Sequence, residues 1–166
     1  MEQERGVKVP ILRLDPMTRV SIQTQDFDVS AELARLRAQD ARVGAVCCFV
    51  GTVRDRNDGD AVATMELEHY PGMTEKSIEA MIAAALARFD LYGVRVIHRV
   101  GLLAPLDQIV LVAVTSAHRG ESFQACEFLM DYLKTQAPFW KKERLADGSS
   151  RWVEARACDQ QAAARW

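Results

Sequence analysis

The sequence predicts an α+β fold: a mostly antiparallel sheet with flanking helices. Three observations point there. Strand-like and helix-like periods are mixed along the chain rather than alternating as βαβ units. Many strand patterns are sequence neighbours joined by short, turn-rich links. The length of 166 residues, 49% of them apolar, fits one domain with a real core.

Residues 1–19 show no clear period and are punctuated by Pro10 and Pro16, so they are expected to be a variable arm preceding a single domain over residues 20–166. Ser30 is the expected cap of a short helix, AELARLRAQ, with Leu33 and Leu36 inward. From Gly44, GAVCCFVGTVR reads as a buried strand, ended by the polar loop Asp55-Arg56-Asn57-Asp58-Gly59-Asp60. ATMELEHY alternates, with Met65, Leu67 and His69 on one face and Glu66, Glu68 and Tyr70 on the other, as a half-buried strand does.

After Pro71-Gly72, Thr74 should cap a helix whose inward positions are Ile78, Met81, Ile82, Ala85, Leu86 and Phe89. Gly93 falls beyond its end, so a strand should start at Val94. VRVIHRVGLL and QIVLVAVTSA read as strands joined through Ala104-Pro105-Leu106-Asp107. A third helix is expected from about Glu121 to Thr135, with Phe123, Cys126, Met130 and Leu133 inward, stopped by Pro138. KKERL and RWVEA flank Asp147-Gly148-Ser149-Ser150 as a hairpin.

Composition narrows the function classes. A formal net charge of −2 gives no global field toward nucleic acid or anionic lipid, so any anion site must be local. No run approaches the ~20 apolar residues of a membrane span, and the charged N-terminus is unlike a signal peptide. The expected location is cytoplasmic, with neither membrane nor nucleic acid as partner. Cys47, Cys48, Cys126 and Cys158 lack zinc-site spacing and read as buried free thiols. Nucleotide-binding glycine loops and the serine-hydrolase elbow are absent from the sequence. His69, His98 and His118 are too scattered to suggest a metal.

The informative cations sit at element ends, where a rigid scaffold aims binding residues. Arg54 follows a strand, His118-Arg119 precedes a helix, Lys134 lies in that helix's last turn, and Lys141-Lys142 follow Pro138-Phe139-Trp140. Each has an ordinary reading too. Arg54 can solvate a loop, His118 can be a satisfied buried histidine, Lys134 can complement the helix dipole, and Lys141-Lys142-Glu143-Arg144 can be a solvated strand face. Their joint placement makes an anion site the competing reading.

FVGTVRDRNDGD, LEHYPGMTEK, IHRVG, VTSAHR, FLMDYLKTQAPFWKKE and RWVEA occur in this order, and together they closely resemble the molybdopterin synthase catalytic (large) subunit family over roughly residues 44–166. The resemblance implies an α/β hammerhead fold and a homodimer at the core of a heterotetramer. A small ubiquitin-like sulfur-carrier subunit would insert its Gly-Gly thiocarboxylate tail into the pocket. The reaction implied is transfer of two sulfurs to cyclic pyranopterin monophosphate, giving the molybdopterin dithiolene. No cofactor is implied for this step.

By motif, the resemblance places Thr52, Val53, Arg54, His118, Arg119, Lys134, Lys141, Lys142 and Glu143 in the substrate pocket. It makes Lys134 and Lys141 the catalytic lysines, and it brings His118-Arg119 from the opposite protomer. Two positions depart from the family pattern: Leu106, where relatives often have Gly, and Gly120-Glu121, where they are often Ser-rich. The chemistry suits the residues, because a phosphate and a thiocarboxylate repel each other and clustered Arg and Lys offset that repulsion. A non-catalytic docking module for a ubiquitin-like tail is the alternative; it would need the groove but not both lysines.

Overall fold

The computed structural model describes residues 19–154 and 156–166. The elements run β1 (Val20–Gln23), α1 (Val29–Arg37), β2 (Ala45–Thr52), β3 (Arg56–Asn57), β4 (Asp60–His69), α2 (Met73–Arg88) and β5 (Leu91–Arg99). Next come β6 (Gly101–Leu103), β7 (Gln108–Ser116), α3 (Arg119–Gln136), β8 (Phe139–Leu145), β9 (Ser150–Val153) and α4 (Ala157–Ala163). Residues 1–18 of the expected arm lie outside the described residues.

Two sheets divide the strands. The first has the order β1-β5-β7-β2; β5, β7 and β2 are antiparallel, and β1 joins β5 in parallel. The second runs β3-β4-β8-β9, with β6 also paired to β4, and every pairing in it is antiparallel. This is the α+β, mostly antiparallel architecture expected.

The first sheet is covered on both faces, which explains why β7 reads as a near-continuous apolar run. Val94, Val96, Val110, Val112 and Val114 face α2 and α3 in the larger core, with Ile78, Ile82, Ala125, Phe128 and Leu129. Their neighbours Ile97, Leu111 and Ala113 face the other way, onto Leu36 and Phe27 beside α1. One two-residue period therefore feeds two cores. Gly93 lies within β5, which starts at Leu91 and not Val94; a Cβ at Gly93 would come within 2.9 Å of Leu36 Cδ1.

Several local expectations are corrected. Asp28, not Ser30, caps α1, its carboxylate accepting from the Ala31 amide at 3.0 Å. Gly72, not Thr74, caps α2, with the Glu75 carboxylate accepting from the Gly72 amide at 2.7 Å; Thr74 sits inside the helix, its hydroxyl donating to the Tyr70 carbonyl. The strand β2 is at the sheet edge and is not buried throughout: Val46 and Phe49 are exposed. Cys48 and Cys158 are exposed as well, and only Cys126 among the thiols is fully buried. On α3, Phe123 points outward, because the inward face is Ser122, Ala125, Cys126, Phe128, Leu129 and Leu133.

Three connections shape the space between the sheets. Asp58-Gly59, both with positive φ, turn β3 tightly into β4. VRVIHRVGLL is two strands, split at Val100: β5 stays in the first sheet and β6 crosses to the second. Finally, α4 returns the chain end against α3, a helix that the sequence periods do not predict. Trp166 packs edge-on to Phe89 and Phe128, and its indole N–H donates to Asp131 at 2.7 Å.

Candidate functional site

Where the two sheets, the end of α3 and α4 meet, they enclose a cleft of about 590 Å³. Its polar side carries Thr52 and Arg54 from the end of β2, Arg56 and Asn57 from β3, Lys134 from α3, and Lys141 and Glu143 from β8. Arg156, Cys158 and Asp159 close it from the start of α4. The remaining wall is apolar, and includes Met65, Ile109, Met130, Leu133 and Phe139.

Strand alternation decides which β8 residues enter. Lys141 and Glu143, two apart, face the cleft, whereas Lys142 is on the opposite face with its ammonium 5.6 Å from the Trp152 ring centre. Lys141 is half-buried, and its pKa is lowered, first by burial and then by the charge of Lys134; Asp159 and Glu143 pull the other way. Two lysines from different elements thus share one electrostatic environment.

Glu143 is 2% exposed, and a carboxylate so buried needs strong partners. It has them: the Asn57 side-chain amide donates at 2.8 Å and Arg151 Nε donates at 3.1 Å. Asn57 is the junction. Its Oδ1 accepts from Arg54 at 3.2 Å and from Arg156 at 2.8 Å, while its carbonyl accepts from Arg151 at 2.9 Å. Two guanidinium groups are therefore held at the cleft by one amide oxygen, anchored in turn by a buried carboxylate. Such a fork of donors suits an oxyanion such as phosphate.

The other expected site residues fall elsewhere. Val53 is 1% exposed and outside the cleft lining; its backbone accepts from Leu106 and donates to Asp107, fixing the strand end that aims Arg54. His118 and Arg119 are exposed at the start of α3 and do not line this cleft. His118 is thus not a buried histidine, and Lys134 lies at the other end of an 18-residue helix, about 27 Å long.

The motifs do not single out Asn57, Arg56, Arg156, Cys158, Asp159 or His98, all of which line the cleft. Asn57 has a readable signal, the Asn-Asp-Gly-Asp hairpin that buries its side chain. Arg156 and its neighbours have none, because α4 is placed only by tertiary packing.

Comparison with known proteins places this geometry among relatives. The chain matches the MoaE protein family over residues 22–136. It is 61% identical over 150 residues to the molybdopterin synthase catalytic subunit of Ralstonia nicotianae, covering 90% of this chain and 85% of that one. The solved molybdopterin biosynthesis MoaE protein of Burkholderia ambifaria superposes with a TM-score of 0.77 at 58% identity, covering 90% of this chain and 98% of that one. A Helicobacter pylori structure, described as a complex of subunits 1 and 2 of molybdopterin-converting factor, shares the fold. It has a TM-score of 0.66 at 20% identity, covering 82% of this chain and 91% of that one.

Proposed function

The chain belongs to the MoaE family, the catalytic subunits of molybdopterin synthase, and from that premise we propose how its cleft works. As a sulfur-transferring enzyme of molybdenum cofactor biosynthesis, it moves two sulfurs to cyclic pyranopterin monophosphate, one from the C-terminal thiocarboxylate of each of two small ubiquitin-like subunits used in turn. The observation that carries the site assignment is the convergence of Lys134, Lys141 and Arg54 on one cleft with an apolar wall.

Arg54, held by Asn57, takes the substrate phosphate. Lys134 and Lys141 draw in the thiocarboxylate, whose sulfur bonds to a pterin carbon. They stabilise the oxyanion that forms when water then attacks the acyl carbon, so that the C–S bond breaks and the tail leaves as a carboxylate. With its lowered pKa, Lys141 gives up a proton more readily than an ordinary lysine, which suits acid/base work. Glu143 acts through Asn57 and holds the arginines in place; Lys142 supports the strand from its far side.

His118 and Arg119 reach a cleft only across a two-fold axis, each protomer completing its partner's site. That arrangement agrees with the length of α3 and with the exposure of both residues. The working assembly is then a homodimer carrying two small subunits, acting in the cytoplasm. Residues 20–166 form one domain preceded by a variable arm. Among the described residues no helix is long and apolar enough to cross a membrane.

The test is reconstitution. The chain is mixed with thiocarboxylated small subunit and cyclic pyranopterin monophosphate, and the dithiolene is assayed. Product proportional to thiocarboxylate consumed supports the reading; intact precursor after complex formation refutes it.

A further inference from the structure

One buried titratable group in the cleft has no part in the sulfur transfer or in phosphate binding. His98 on β5 is 7% exposed, yet it lines the cleft. Its ring lies flat on Phe139, with centroids 3.7 Å apart and an interplanar angle of 16°. Nδ1 is 2.8 Å from the Arg99 carbonyl oxygen. A carbonyl can only accept, so Nδ1 carries the proton and Nε2 is left with a lone pair. Among the described residues no protein group hydrogen-bonds Nε2, and it is not one of the buried unpaired atoms, so its lone pair is open to the cleft.

We propose that His98 Nε2 accepts a hydrogen bond from an N–H of the pterin ring and so positions the heterocycle against the apolar wall of the cleft. This rests on the reading of the cleft as the synthase pocket and names a contact within it. Nε2 opens on the cleft, where water can reach it, so a ligand that displaces that water keeps the hydrogen bond only if it brings a donor. Phosphate and thiocarboxylate are themselves acceptors and cannot serve; a pterin carries ring N–H and amino donors. The Phe139, Met65, Ile109 and Met130 wall suits a flat ring, whereas a Gly-Gly backbone has no side chain to fill it.

The protonation state agrees. Burial, together with the charges of Lys141 and His69, pushes the His98 pKa down to about 4 against the pull of the Arg99 carbonyl, so the ring stays a neutral acceptor at neutral pH.

The deciding measurement uses the natural chain. Side-chain ¹⁵N spectra of the three histidines are recorded while cyclic pyranopterin monophosphate is added without the small subunit. His98 should show the Nδ1–H tautomer, and its Nε2 signal should move upfield as it accepts a hydrogen bond. An Nε2 signal that does not move as the precursor saturates overturns the proposal.

Two variants supply the functional arm. His98→Asn keeps a polar group at the Nδ1 position and removes the one at Nε2, whereas His98→Gln places one near Nε2. Precursor affinity by calorimetry should fall about tenfold in His98→Asn and stay within about threefold in His98→Gln, with small-subunit affinity unchanged in both. Wild-type precursor affinity in His98→Asn, or a loss confined to small-subunit binding, also overturns it. If the wild-type chain makes no dithiolene, the functional reading fails; if it does while His98→Asn keeps its affinity, only the His98 contact fails.

Discussion

Replacing Glu143 with Leu keeps side-chain bulk but removes the acceptor for two donors, Asn57 Nδ2 at 2.8 Å and Arg151 Nε at 3.1 Å. A hydrogen bond to a charged group is worth about 1.5–3 kcal/mol, and breaking a buried charged pair costs about 3–5 kcal/mol. The Arg151 side chain is 32% exposed, so water can recover part of its share and the lower end applies. About 3 kcal/mol at about 2–4 °C per kcal/mol lowers Tm by about 6–12 °C. Glu143→Gln retains one oxygen for Asn57 and should lose less than half of that. Far-UV circular dichroism melts at neutral pH read both values. A Glu143→Leu drop under about 3 °C would refute the claim that this carboxylate anchors the Asn57 junction.

Arg54→Ala should weaken precursor binding roughly ten- to a hundredfold, the worth of one charged hydrogen bond; unchanged calorimetric affinity removes Arg54 from the site. Arg119→Ala and Lys134→Ala homodimers should each lose nearly all turnover. After subunit exchange, statistical mixing should restore roughly a quarter of wild-type activity, because half the dimers are mixed and each holds one intact pocket. Confirmed exchange with no recovery would show that all the cations act within one chain. Leu106 adopts φ 75° while 85% exposed, in a turn closed by the Asp107 amide on the Ala104 carbonyl at 3.0 Å. Left-handed geometry costs an L-residue roughly 1–2 kcal/mol and glycine's extra entropy returns part, so Leu106→Gly should raise Tm by about 1–4 °C; a fall would contradict the strain. Lys141 has a folded pKa below its unfolded 10.5, so between those values the unfolded chain binds more protons and stability rises with pH. Urea melts should show wild type gaining on Lys141→Met as pH climbs through that window, and a constant difference would argue against a depressed pKa.

The local periods were legible because they depend only on neighbouring residues. Alternation in ATMELEHY marked β4, the Ile78-to-Phe89 spacing marked α2, and Asp147-Gly148 marked the β8–β9 turn. Motif order was enough to identify the family and to single out Arg54, Lys134 and Lys141. Burial was less legible, since an apolar run such as GAVCCFV does not say whether its strand lies inside a sheet or at its edge. Motif matching put Lys141, Lys142 and Glu143 together in the pocket; the pairing of β8 with β4 and β9 turns Lys142 to the opposite face. Asn57, Arg156 and His98 are far apart in sequence, and no local pattern links them. They come together because β3 folds back on β4, β5 hands the chain across to β6, and Trp166 pins α4 against α3. The sequence by itself therefore determined the longer elements, the family and the candidate cations, but not β1, β3, β6 or α4. Which of those cations share a pocket, and which neutral groups orient them, was decided by long-range packing, where contact energy is gained only after distant segments have been brought together.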